Sequence, residues 1–154
     1  MERLIRNSAK ALIIRDQSLL CIRISDGKES WYILPGGGQE AEELLPEAAC
    51  REVAEELGIE VAVKDLAFVI EGRRGEAFHR VDLVFLCDYI RQLPNAELHG
   101  DTMQTGYDWL DIRTLNTLPL YPSRLRRPIM NLAQGKPYPV YLGNEEIGDP
   151  EITD

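Results

Sequence analysis

The 154-residue chain is predicted to be an α/β protein, a mixed sheet with one central helix and a second helix near the C-terminus. Three observations predict this. Short apolar runs at 9–14, 19–24 and 31–34 are separated by turn-forming residues, which is the pattern of strands. One amphipathic stretch, ending at Gly58, lies between these runs and a second group of strands. After the last strand, Leu125, Ile129 and Leu132 recur at helical spacing. Strands interleaved with helices in this order exclude a helical bundle.

The elements follow in order. Ala9–Ile14 and Leu19–Ile24 flank Arg15-Asp16-Gln17-Ser18 and form a hairpin. Asp26-Gly27 marks a turn, and Trp31–Leu34 is a third strand that stops at Pro35. Gly36, Gly37 and Gly38 then allow backbone angles that other residues resist. Pro46 suits the first turn of the central helix, where its missing N–H costs nothing. Gly58 supplies the left-handed cap at the other end. Beyond it, Val61 with Val63 and then Leu66–Ile70 form a pair of extended runs, followed by a turn at Arg73-Arg74-Gly75. Val81–Ile90, rich in Val, Leu and Phe, is a buried central strand. Residues 91–106 form a polar loop, Tyr107–Leu110 is a last short strand, and Asp111 is a candidate helix cap. Pro128 either kinks the C-terminal helix or marks its start, and Gly135 ends it. A single domain spans 1–154, with an acidic tail from about Gly143 expected to be peripheral and frayed.

A formal charge of −9 excludes a general nucleic-acid or anionic-membrane surface. No apolar run approaches the ~20 residues of a membrane span. Cys21, Cys50 and Cys87 have no metal-ligand spacing and read as small core residues of a protein in a reducing, cytoplasmic compartment.

The chemistry concentrates in the central helix. At about 100° per residue, Glu52, Glu55 and Glu56 share one arc about 100° wide, and Cys50, Val53, Ala54 and Leu57 occupy another. Carboxylates stacked in this way repel by about 3 kcal/mol per close pair, taking ~5.5 Å and an effective dielectric near 20. A hard divalent cation, Mg²⁺ or Mn²⁺, relieves that repulsion. Beside a glycine loop with available amides, such a cation suits a phosphate-bearing substrate.

Gly37, Glu43, Arg51, Glu52, Val53, Glu55, Glu56, Gly58 and Ile59 fill G-x5-E-x7-R-E-U-x-E-E-x-G-U, with U aliphatic. This segment resembles the Nudix box at every fixed position. The position before Glu43, often Gly in that family, is Glu42 here. The resemblance implies a Nudix fold, a mixed sheet flanked by helices as an α/β/α sandwich with the box as loop-helix-loop. It implies Glu52, Glu55 and Glu56 as metal ligands with a backbone carbonyl at Gly37, and Glu52 also as a candidate base. Arg51 and Glu43 would serve by orienting the carboxylates.

Candidates outside the box are less specific. Gly36, Gly38, Arg73 and Arg74 are candidate contacts to substrate phosphates. Arg80, Arg124, Arg126 and Arg127 are further cations of the same kind, and Trp31, Tyr107 and Trp109 are candidate stacking residues. Glu97 and Asp101, in the polar loop with His99, are candidates for an extra ligand or the general base. Phosphate-loop, zincin and serine-hydrolase motifs are absent from the sequence.

The expected function is Mg²⁺-dependent (or Mn²⁺-dependent) hydrolysis of the diphosphate bond in a nucleoside diphosphate linked to another group. ADP-ribose-like compounds come first and nucleoside triphosphates second. The partner is thus a small nucleotide or nucleotide-sugar, with no stable nucleic-acid or membrane partner, and a homodimer is left open. Two alternatives belong to other classes: a non-catalytic nucleotide-sensing domain, and a diphosphate isomerase, which would need a catalytic cysteine.

Overall fold

Strand β1 (Ile5–Arg15) lies at the centre of the sheet, and its alternation decides what each face receives. Ala9, Ala11 and Ile13 point to one side and Leu12 to the other, and all four are fully buried. The computed structural model describes residues 4–94, 98 and 103–150, so Glu97, Asp101 and His99 lie outside the described residues.

The hairpin turn at Asp16-Gln17 has φ of 51° and 64°, the geometry that matches strand twist in a two-residue connection. β2 (Ser18–Ser25) pairs with β1 only through Ile14–Leu19 and Arg15–Ser18, and the two strands then diverge. β2 goes on to pair with β3 (Ser30–Ile33) and β7 (Gln104–Asp111). β1 instead takes β4 (Gly36–Gly38) antiparallel on one side and β6 (His79–Gln92) parallel on the other. β5 (Ile59–Glu71) completes that half by antiparallel pairing with β6. Among the described residues the chain therefore forms a mixed sheet in two divergent halves joined at the β1–β2 hairpin.

Helix α1 (Leu45–Leu57) covers one face, burying Ala48, Ala49, Val53 and Leu57 against Ala9, Ala11, Ile13, Val61 and Phe85. Its N-cap, Leu44, has no side-chain acceptor, but Glu47 reaches back to the Leu44 N–H at 2.8 Å. Gly58, at φ 65°, ends it and bonds back to the Ala54 carbonyl at 2.9 Å. Helix α2 (Arg126–Ala133) covers the opposite face with Ile129 and Met130 against Leu12, Phe68, Ile70 and Val84. The result is an α/β/α sandwich, and no described helix is long and apolar enough to cross a membrane.

Several expectations are refined. The two runs after Gly58 are one strand, because β5 crosses Lys64-Asp65 as a bulge and resumes its pairing with β6. Pro128 kinks nothing: α2 begins at Arg126, so Pro128 sits in the first turn, where its nitrogen owes no bond. Asp111 does cap, accepting from the Arg113 N–H at 2.9 Å, but the helix it caps is a 3₁₀ segment, Ile112–Thr117.

Among the described residues the tail is anchored as far as Glu146, while residues 147–150 are exposed. Residues 140–143 run beside β5, with the Val69 N–H donating to the Val140 carbonyl (2.8 Å) and the Leu142 N–H to Val69 (2.9 Å). Glu145 accepts from the Ser123 and Arg124 amides, and Glu146 from the Arg74 amide and Asn144. Its carboxylates act as caps for backbone donors elsewhere, which is why an acidic composition does not leave the segment loose.

Candidate active site

The glycine loop lies against the acidic face of α1 because β4 is held between β1 and that helix. Lys10 opposes Gly36 in the β1–β4 ladder, and Ala9 opposes Gly37. Gly36 has φ of 139°, and a Cβ there would sit 2.2 Å from the Ala9 carbonyl oxygen. Only glycine fits so close an approach. A Cβ at Gly37 would fall 2.5 Å from Glu52 Cδ and 2.7 Å from both its oxygens, so the Glu52 carboxylate lies directly over the Gly37 backbone.

Arg51 organises the rest. Its Nε and Nη2 donate to Glu43 at 2.7 and 2.9 Å, a fork on both carboxylate oxygens. Nη1 donates to Glu52 Oε1 (2.9 Å) and Glu55 Oε2 (3.3 Å), and Nη2 also donates to the Gly38 carbonyl (3.0 Å). One guanidinium thereby ties the glycine loop, the acidic turn and the helix together. Those bonds hold the Glu43 carboxyl down at about 2 and push the Arg51 pKa further up. Side-chain exposure rises from 14 % at Glu43 and 18 % at Glu52 to 40 % at Glu55, so Glu55 is the carboxylate most open to solvent.

Glu56 is held separately. The Gly36 N–H donates to its Oε1 (2.8 Å), and Gln104 Nε2 on β7 donates to its Oε2 (3.0 Å). Burial nevertheless pushes its carboxyl pKa up, with the Gly36 amide, Gln104 and the Lys10 charge opposing that rise. Among the described residues no three acidic, His or Cys side chains meet as a ready metal cluster. The donor chemistry still fits a hard divalent cation: Glu52, Glu55 and Glu56 offer only oxygens, on one helix face, next to the loop whose Gly37 backbone Glu52 overlies.

A cleft of about 770 Å³ is lined by Trp31, Arg73, Arg80, Tyr121, Glu145 and Glu146, among others. A smaller hollow, sharing Ile33, Arg80, Tyr121 and Pro122 with it, continues as far as Lys10. Lys10, the ladder partner of Gly36, is thus the residue of that hollow nearest the glycine loop.

The structure thus gathers Gly36, Gly37, Gly38, Glu43, Arg51, Glu52, Glu55 and Glu56 in one place. Arg73 lines the cleft, but Arg74 does not; its side chain is 88 % exposed, with its guanidinium 3.7 Å from Glu146. Arg80 is held by Asp82 at 3.1 Å. Arg126 is buried and cannot meet a phosphate: its Nε donates to the Leu120 carbonyl (2.9 Å) and its guanidinium stacks on Tyr121. Trp109 packs edge-on against Tyr89, in the core on the α1 face. Sequence reasoning missed Lys10, whose only signal was a single charge inside the run 8–14. It also missed Gln104 as the partner of Glu56, which no spacing across 48 residues announces.

A family model, the NUDIX domain, matches residues 4–132. No curated protein matches the chain. Among solved structures, the chain is similar to a NUDIX hydrolase from Nitrosomonas europaea (20 % identity, 90 % of this chain and 94 % of that one, TM-score 0.70). It is also similar to a MutT protein from Methanosarcina mazei Go1 (24 %, 88 % and 97 %, TM-score 0.68). A third is an ADP-ribose pyrophosphatase from Streptococcus suis 89-1591 (15 %, 91 % and 98 %, TM-score 0.63).

Proposed function

The chain belongs to the Nudix family and is a Nudix hydrolase, and from that premise we propose that it cleaves, with Mg²⁺ or Mn²⁺, the diphosphate bond of a nucleoside diphosphate linked to another group. ADP-ribose-like compounds are the first choice of substrate and nucleoside triphosphates the second. The observation that carries this reading is the Arg51 assembly, which joins Glu43, Glu52, Glu55 and the Gly38 carbonyl through one guanidinium. The name of one similar structure, an ADP-ribose pyrophosphatase, agrees with the first choice.

Glu52, Glu55, Glu56 and the Gly37 carbonyl would hold the cation. When bound it supplies neutralisation of diphosphate charge and activation of the attacking water. Arg51 fixes the orientation of Glu52 through Oε1, which leaves Oε2 to take the proton of that water. Lys10, between the glycine loop and the cleft, is placed to meet a phosphate oxygen. Glu97 and Asp101 remain candidates for a further ligand or the base.

The alternatives fare less well. A sensing domain has no need of the full carboxylate and arginine set. The isomerase reading lacks an activated thiol: burial pushes Cys87 up to about 12 and raises Cys21 and Cys50 as well. Three free cysteines agree with a cytoplasmic setting.

A panel of dinucleotides, nucleotide-sugars and triphosphates, assayed with Mg²⁺ and with EDTA, tests the proposal. Hydrolysis of at least one diphosphate compound, abolished by EDTA, is expected. Metal-independent turnover, or none from well-folded protein, would overturn it.

A further inference from the structure

The large cleft is not explained by the chemistry of the box. Its walls come from five separate parts of the chain: Trp31 and Ile33 on β3, Glu71 on β5, Arg80 on β6, the 119–122 segment, and Glu145-Glu146. The last pair lies beyond residue 132, where the family model ends. These two residues are held firmly. Glu145 accepts from Ser123 and Arg124, Glu146 from Arg74 and Asn144, and the segment before them is paired to β5.

At about 770 Å³ the cleft matches a bound group the size of a nucleoside or a sugar. Trp31, Tyr121, Pro119 and Pro122 give it apolar walls on which a ring can lie. Its charge is one-sided. Glu29, Glu71, Glu145 and Glu146 face Arg73 and Arg80, and Arg80 is already held by Asp82 and Glu76. In the inner hollow Asp82, with a side chain only 7 % exposed, is the partner of Arg80, and Lys10 is the other charge. Glu71 is engaged with Tyr141 and His79, and Glu145 with backbone amides, so each stays in place.

We propose that this cleft receives the part of the substrate beyond the diphosphate, and that the segment carrying Glu145 and Glu146 makes it select a group bearing hydroxyls or amines and no additional phosphate. Carboxylates accept hydrogen bonds from hydroxyl and amino groups, whereas a further phosphate would enter against like charge with Arg73 alone left to meet it in the cleft, Lys10 being taken up by the diphosphate. The inference rests on the hydrolase reading, because it takes the diphosphate to lie at the box, with Lys10 between box and cleft.

The test compares ADP-ribose with two relatives, one phosphorylated on the nucleoside ribose and one on the distal ribose. Whichever end occupies the cleft, one added phosphate falls inside it. The intact protein should prefer ADP-ribose over that relative by at least about tenfold in kcat/KM, and the preference should shrink as salt rises. In the Glu29→Gln/Glu146→Gln variant the ratio should fall to about threefold or less. Equal turnover of all three compounds, or a ratio the variant leaves unchanged, would overturn the inference while leaving the hydrolase reading intact. Silence on all three, with dinucleotides, nucleotide-sugars and triphosphates also inert, would sink the hydrolase reading instead. The cleft is then judged by Trp31 fluorescence in a Trp109→Phe background. Quenching by ADP-ribose and by only one of the phosphorylated relatives supports the inference, and any other pattern overturns it.

Discussion

The carboxylate site and the cleft are built differently. The glycine loop and the helix that carry the carboxylates lie within one continuous stretch, Gly36–Gly58, folded back on itself by Arg51. The cleft is assembled from pieces more than a hundred residues apart. Chemistry needs a fixed constellation, and a local loop-helix unit holds one with few contacts. Selection needs a shape, which distant segments can alter one at a time. Substitutions at the two places should therefore separate in kinetics, the first lowering kcat and the second raising KM.

The largest effect is expected at Glu56. Glu56→Gln removes one proposed ligand and should lower kcat by about a hundredfold or more. Because burial already disfavours the charge of Glu56, the metal-free variant should melt no lower than the parent. Mg²⁺ at a hundred times its dissociation constant should stabilise the parent by about 2.7 kcal/mol and the variant much less. Retained activity with matching Mg²⁺ shifts in thermal melts would remove Glu56 from the site.

Arg51→Lys comes next. The variant keeps the charge but cannot fork onto Glu43 while bridging Glu52 and Glu55, so kcat should fall about tenfold with little change in KM. Steady-state kinetics decide it, and an unchanged kcat would show that the bridge is not needed. Trp31→Ala supplies the contrast in the cleft: KM should rise about tenfold with kcat within about threefold. A fall in kcat alone would erase the division between the two sites.

Glu42 offers a smaller test of the box's one departure from its family. Its φ is 68°, a left-handed conformation that costs a residue with a side chain about 1–2 kcal/mol. Glycine adopts it freely but loses more freedom on folding, so Glu42→Gly should stabilise by about 0.5–1 kcal/mol in denaturant titrations. A loss of stability would mean that Glu42 makes compensating contacts.

The smallest effect concerns the segment that walls the cleft. Tyr141 and His79 hold the Glu71 carboxyl below its usual 4.5. A depressed folded pKa contributes stability that is present above the unfolded value and lost as pH falls through the folded one. Tyr141→Phe should therefore melt slightly below the parent at pH 7, with the gap closing as pH drops below about 4.5. A gap independent of pH would assign the loss to packing.

The same division explains what sequence reasoning reached. The box was legible because its signals are local: helical spacing aligns Glu52, Glu55 and Glu56, and Gly58 caps the helix that carries them. Arg51 was expected beside Glu43 or Glu55 and meets both, since a guanidinium one turn away has donors enough for each. Lys10 and Gln104 were not expected in their roles, because strand pairing and a β7 that crosses from the other half of the sheet bring them in. The anchoring of the tail as far as Glu146 was not legible for a related reason. Acidic composition describes a segment's solubility, while its docking depended on the open edge of β5 and the amides at Ser123 and Arg124.

The alternation of β1 carries one more consequence, for how relatives of this chain can change in length. Neighbouring residues serve opposite faces: Ala9 lies under α1, while Lys10 lines the hollow that opens into the cleft. Inserting one residue ahead of Ala9 while the ladders to Gly36–Gly38 and Val81–Val84 hold would exchange the two roles, sending a charge into the helix contact and an alanine into the hollow. Two inserted residues would restore the order. Viable length changes in this strand should thus come in even steps or be absorbed at the Asp16-Gln17 turn.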